Sequence, residues 1–238
     1  MRTTRRYNVA VLIGVGLASG AGVGLVANDV LEAHFGYPLR ALTVLAALLA
    51  GVLWVSGDEH PYPEIGLANY VTSIRATLVA LVASAVAYPA TPRMLWTLVA
   101  LTVVASALDG LDGWVARRTR TTSGFGARFD METDALLILV LALLVWQHEK
   151  AGAWVLLCGL MRYGFVAAGW LLPWLAQPLR STWRGKVVAV GQVLGLAVAL
   201  APVVPARMST PVAACALATL AWSFAIDVRW LSQQARTT

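Results

Sequence analysis

Residues 109–134 read DGLDGWVARRTRTTSGFGARFDMETD, a charged, small-residue stretch between two apolar ones, and its spacing decides how the chain is read. Asp109 and Asp112 stand three apart, and Asp130 and Asp134 four apart. In helical backbone each pair therefore shares one face, about a turn separated. The segment from Arg118 to Phe125, rich in Thr, Ser and Gly, lets two helices run antiparallel and bring the pairs together.

Outward from this stretch the chain is apolar almost throughout. Of its 238 residues 59% are hydrophobic and 13% charged, with a mean hydropathy of +0.71, which places it in a bilayer. A helix needs about 20 apolar residues to cross about 30 Å of hydrocarbon. Candidate spans fall at about 8–28, 38–56, 69–89, 94–114, 133–147, 151–175, 187–204 and 209–228. The expected fold is all-α, a polytopic membrane helical bundle without a separate soluble domain. Ser56 to Gly66, with Asp58, Glu59 and His60 among Gly57, Pro61, Pro63 and Gly66, reads as a linker. It divides two N-terminal helices and linker (1–66) from a six-helix domain (67–238).

The net charge of +6 does not read as a nucleic-acid surface, because the Lys and Arg residues lie at span ends rather than in a continuous stripe. With the N-terminus cytoplasmic, only Arg40, Arg93, Lys150 and Arg207 fall on the far side and Arg162 within a span. The positive-inside rule favours that orientation, with both termini and the aspartates cytoplasmic. Met1 to Arg6 and the apolar run after it fit a signal peptide or a retained first helix. The run is long for a signal and lacks a small-x-small cleavage site, which favours retention. Cys158 and Cys215 sit in apolar spans and read as small hydrophobes, not as disulfide partners or ligands. Tryptophans near span ends form the expected interfacial belt and carry no substrate information.

Four carboxylates gathered at a membrane edge repel one another and lose hydration unless cations neutralise them. Two divalent cations cancel four negative charges, and hard oxygen ligands suit Mg²⁺ or Mn²⁺ rather than zinc. A pair of such ions is a natural clamp around a phosphorus undergoing displacement. An ion-coupled transporter, the rival reading, predicts carboxylates scattered near mid-membrane and repeated halves. Here they cluster at one edge, and no repeat is visible.

The pattern D-x-x-D-G-x-x-A-R-x8-G-x-x-x-D-x-x-x-D resembles the signature of the CDP-alcohol phosphotransferases, with Asp109, Asp112, Gly113, Ala116, Arg117, Gly126, Asp130 and Asp134 at its fixed positions. The resemblance covers six spans from Asn69 onward, equal to that family's six-helix core, with two helices added before it. It implies transfer of a phosphatidyl group from CDP-diacylglycerol to a small alcohol, with CMP leaving, in the inner membrane of a bacterium and in a homodimer. It implies that Asp109 and Asp130 bridge both metals, that Asp112 completes one site, and that Asp134 completes the other and deprotonates the acceptor. On the donor side it places Gly113 and Gly126 against the CDP moiety, Ala116 in the motif helix, and Arg117 and Ser123 on the diphosphate. Asn69, Thr72 and Arg75 match an N-x-x-T-x-x-R pattern lining the nucleotide site, which a helix cap and a positive-inside arginine would also explain.

The acceptor side is less determined. Arg162, within a span, should face a polar cavity or partner. Arg180, Arg184 and Lys186 form a basic cluster that would hold an acceptor phosphate or anionic lipid headgroups. Members that make phosphatidylglycerophosphate carry G-K-x-K-T-x-x-Q, which Gly185, Lys186 and Gln192 match while Val188 and Ala189 depart from it. Glycerol 3-phosphate is the leading expectation, with inositol phosphate, serine or another alcohol behind it.

Overall fold

The structure, a computed structural model, describes residues 36–56, 67–89, 91–119, 124–177 and 182–237. Among them there are helices and no strands: α1 (Gly36–Ser56), α2 (Leu67–Ser84), α3 (Pro92–Thr119), α4 (Gly124–Gln147), α5 (Leu157–Leu171), α6 (Trp183–Leu200) and α7 (Ala206–Thr237). Short 3-10 turns, Ala153–Leu156 and Pro173–Ala176, flank α5. The chain is an integral membrane protein. Among the described residues four stretches are long and apolar enough to cross a bilayer, Pro92–Gly110, Ala153–Leu171, Trp183–Leu200 and Ala206–Ala235, and Gly36–Gly51 and Val71–Ser84 are shorter apolar helices. The first expected span, 8–28, and most of the expected linker lie outside the described residues.

Two helices exceed their apolar runs at the end that carries the aspartates. Apolar residues of α3 give way after Leu108, yet the helix continues to Thr119, and α4 begins at Gly124, ahead of its apolar run. The expected span 151–175 is instead interrupted, because Pro173 lacks a backbone donor and Leu172 leaves helical geometry at φ −124 and ψ 89. Thr91 and Pro92 start α3 with a capping side chain, Thr91 Oγ1 accepting from Met94 N at 3.2 Å. Within the helices, several hydroxyls bond to the preceding turn, as Thr77 does to Ser73 O (3.0 Å) and Thr133 to Phe129 O (2.8 Å). That removes the cost of a bare hydroxyl in an apolar setting.

The chain divides into two compact units, Met1–Leu137 and Ile138–Thr238. In the first, Leu45 and Leu49 of α1 pack on Ala76 and Ala80 of α2 and on Phe129 of α4. The small alanines let the helices approach, and the Tyr37 hydroxyl donates to Leu81 O at the other end of the α1–α2 contact. Helix α1 therefore supports the segments that carry Arg75 and Asp130.

In the second unit, Gln192 is fully buried and its Nε2 donates to Ala216 O at 2.8 Å, joining α6 to α7. Lys150 Nζ donates to the carbonyls of Ala201, at 3.2 Å, and Val204 beyond the C-terminal end of α6, where a cation complements the exposed carbonyls. Helix α4 closes with Lys150 N on Val145 O and Glu149 N on Trp146 O, both 3.0 Å, and Glu149 in the left-handed region at φ 54. This is a Schellman closure with a side chain where glycine is usual. Glu149→Gly is expected to stabilise the protein by about 1 kcal/mol, read as a raised thermal midpoint in detergent; a lowered midpoint would contradict it.

Candidate active site

Three helices of the first unit meet at one guanidinium. Arg75, on α2, heads the large fully buried side chains among the described residues, 2% exposed. Its Nε donates to Ala105 O at 3.2 Å, one turn before Asp109 on α3. One terminal nitrogen, Nη1, lies 3.0 Å from Asp109 Oδ1 and also pairs with Asp130 Oδ1, while Nη2 pairs with Asp134 Oδ1. Oxygens of Asp109, Asp130 and Asp134 all lie within 4.8 Å of one another. The three carboxylates are 32%, 37% and 34% exposed, so the arginine sits on the buried side of the cluster and the aspartates reach toward the open side.

The local reasons are helical. Asp130 and Asp134 are four residues apart on α4, one turn along a single face. Phe129, fully buried beside them against α1 and α2, fixes that face's rotation. Arg75 is tolerated in the interior because carboxylates and a carbonyl surround it; alone, its burial would be prohibitive. Three carboxylates against one guanidinium still leave −3 + 1 = −2 among these side chains. An all-oxygen donor set with that surplus fits a hard divalent cation.

Other expected site residues are placed unevenly. Asp112, Gly113, Ala116 and Arg117 lie on the last turns of α3 and Asn69 on α2, with their side chains outside the described residues; Ser123 and Arg180 lie outside them altogether. Thr72 is buried on α2, and Gly126 is partly buried in the first turn of α4. In the second unit, Arg162 is partly buried on α5 and Lys186 is exposed at the start of α6.

Arg184, in the first turn of α6, pairs through Nη2 with Asp227 on α7 and lies over the Trp222 ring at 5.9 Å. Its buried Nη1 has no hydrogen-bond partner among the described residues. Asp227 is the functional candidate missed from sequence. Its signal was a lone carboxylate, Ala-Ile-Asp227-Val-Arg229, near the end of an apolar span.

The family model described as CDP-alcohol phosphatidyltransferase matches residues 65–226. Among curated proteins, the chain is similar to three that are each named CDP-diacylglycerol--glycerol-3-phosphate 3-phosphatidyltransferase. That of Sodalis glossinidius is 29% identical over 99 residues, 40% of this chain and 54% of the relative. That of Yersinia pestis strain Pestoides F is 30% identical over 95 residues, 38% and 52%, and that of Escherichia coli strain K12 is 29% identical over 99 residues, 40% and 54%. The chain spans about half the length of the curated relatives it matches. No solved structure matches it.

Proposed function

Because the chain belongs to the CDP-alcohol phosphatidyltransferase family, we propose that it transfers the phosphatidyl group of CDP-diacylglycerol to the hydroxyl of glycerol 3-phosphate, releasing CMP. The observation that carries this reading is the convergence of Asp109, Asp130 and Asp134 from two helices. The family uses divalent metal ions, and the surplus negative charge and oxygen donors of this cluster fit them. Asp109, Asp112, Asp130 and Asp134 would hold two, Mg²⁺ or Mn²⁺. Bound there, they would offset the carboxylates and draw charge from the phosphorus.

The chain's own residues do the rest. Asp134, one-third open on α4, takes the proton of the acceptor hydroxyl. The freed oxygen attacks the phosphorus that bears the lipid, the bond to the CMP oxygen breaks, and no covalent enzyme intermediate forms. On the donor side, Asn69, Thr72, Arg75, Gly113, Ala116, Arg117, Ser123 and Gly126 are assigned by their match to the family pattern, with Arg117 gripping the diphosphate.

Arg162, Arg180, Arg184 and Lys186 are assigned to the acceptor phosphate. The pairing of Arg184 with Asp227, which holds its guanidinium in a fixed pose with one nitrogen unengaged, supports its part. The names of the curated relatives support glycerol 3-phosphate over other alcohols. We place the protein in a bacterial inner membrane, supported by the distribution of Arg and Lys about the spans. Residues 67–238 would form the six-helix core, supported by the match at 65–226, with 1–66 added before it and a homodimer as the working unit.

Purified protein with CDP-diacylglycerol and Mg²⁺ should release CMP, with the highest kcat/KM for glycerol 3-phosphate among glycerol 3-phosphate, inositol phosphate and serine. Preference for another alcohol would overturn the acceptor, and no CMP release with any of them would overturn the reaction class.

A further inference from the structure

We propose that Arg75 is the built-in counter-ion of the aspartate cluster: it holds Asp109, Asp130 and Asp134 together in the absence of a divalent cation and competes with one for the same carboxylate oxygens. This rests on the reading of the cluster as a cation site. The resemblance places Arg75 among the donor contacts, but its named contacts in the structure run to Oδ1 of three aspartates and to Ala105 O. Nη1 alone engages both Asp109 and Asp130, so one nitrogen of the delocalised cation occupies the point where α3 and α4 present their carboxylates to each other.

The guanidinium is suited to this place. Its planar fork spans carboxylates from several directions, which a lysine ammonium on a single point cannot do. The bond from Nε to Ala105 O fixes the plane of the fork against the α3 backbone. Close carboxylates without a cation repel one another, and the arginine relieves this while leaving a surplus of two negative charges. A divalent cation bound to these oxygens must share them with Arg75 and is repelled by its positive charge. What Arg75 contributes to the cation-free state is therefore subtracted from cation affinity, and removing it should tighten binding.

Mn²⁺ alone is the probe. Binding to wild type, Arg75→Met and Arg75→Lys in detergent at one fixed pH is followed by loss of the free-ion paramagnetic signal, with thermal midpoints measured with and without Mn²⁺. Arg75→Met is expected to bind Mn²⁺ on the order of tenfold more tightly. It should melt lower than wild type without the ion and gain more on adding it. Arg75→Lys should fall between the two, and decides the matter alone should Arg75→Met fail to fold. Equal or weaker Mn²⁺ binding in the variants would overturn the proposal. Neither measurement needs turnover, so wild-type protein that binds Mn²⁺ but releases no CMP would sink the phosphotransfer reading and leave this one standing.

Discussion

Replacing Asp134 by Asn is expected to lower CMP release by at least about 10³-fold while leaving the protein folded. Asp134 is one-third exposed, so the open part of its carboxylate can meet a substrate hydroxyl while one oxygen rests on Arg75. Asparagine keeps the shape and one oxygen. It cannot take a proton, and it removes one negative charge from the cluster. General-base assistance contributes typically 10²–10⁴-fold, and the loss of an anionic ligand adds to that. The fold should survive because Arg75 keeps Asp109, Asp130 and Ala105 O as partners. Steady-state CMP release decides it: a tenth or more of the activity remaining in Asp134→Asn would remove Asp134 from the role of base.

Substituting Gly159 should produce the largest loss of stability. On an exposed helix, Gly→Ala stabilises by up to about 1 kcal/mol. Gly159 is buried on α5, and an added Cβ would stand 2.5 Å from Leu139 Cα on α4. Backbone cannot turn aside as a side chain can, so the helices must separate. Gly159→Ala should cost about 1–3 kcal/mol and Gly159→Leu more, with part of the α4–α5 packing lost. Gly164, on the same helix with nothing within 4 Å of its Cβ position, is the matched control: Gly164→Ala should hold or raise stability. Midpoints of thermal unfolding in detergent compare the three. A Gly159→Ala protein as stable as Gly164→Ala would show that α5 is not held this closely to α4.

Much of the fold was open to reading because its signal is local. Apolar runs of bilayer length disclose themselves residue by residue, and so do the stops imposed by charge and proline. The bounds of an apolar span are not the bounds of its helix. The motif residues of α3 and α4 are polar, yet the backbone continues through them, because hydrogen bonding within a helix does not depend on apolar side chains. The interruption at Leu172 and Pro173 was overlooked for the opposite reason, since hydropathy runs through it unbroken. Gln192, matched to an acceptor motif by spacing, ties α6 to α7 through Ala216, and no pattern along the chain distinguishes those two uses of an amide.

Sequence by itself determined the membrane helices, the placing of Asp130 and Asp134 on one face and the motif by which the family is recognised, since each depends on spacing within a few turns. The partner of those carboxylates was decided by tertiary structure alone. Arg75 lies 55 residues from Asp130 and 59 from Asp134, and only the packing of α2 against its neighbours brings it there. The same holds for Asp227 with Arg184, 43 residues away, and for Gly159 against Leu139. Such contacts depend on which faces of separate helices meet, and a helix's own periodicity does not specify the face it will be offered.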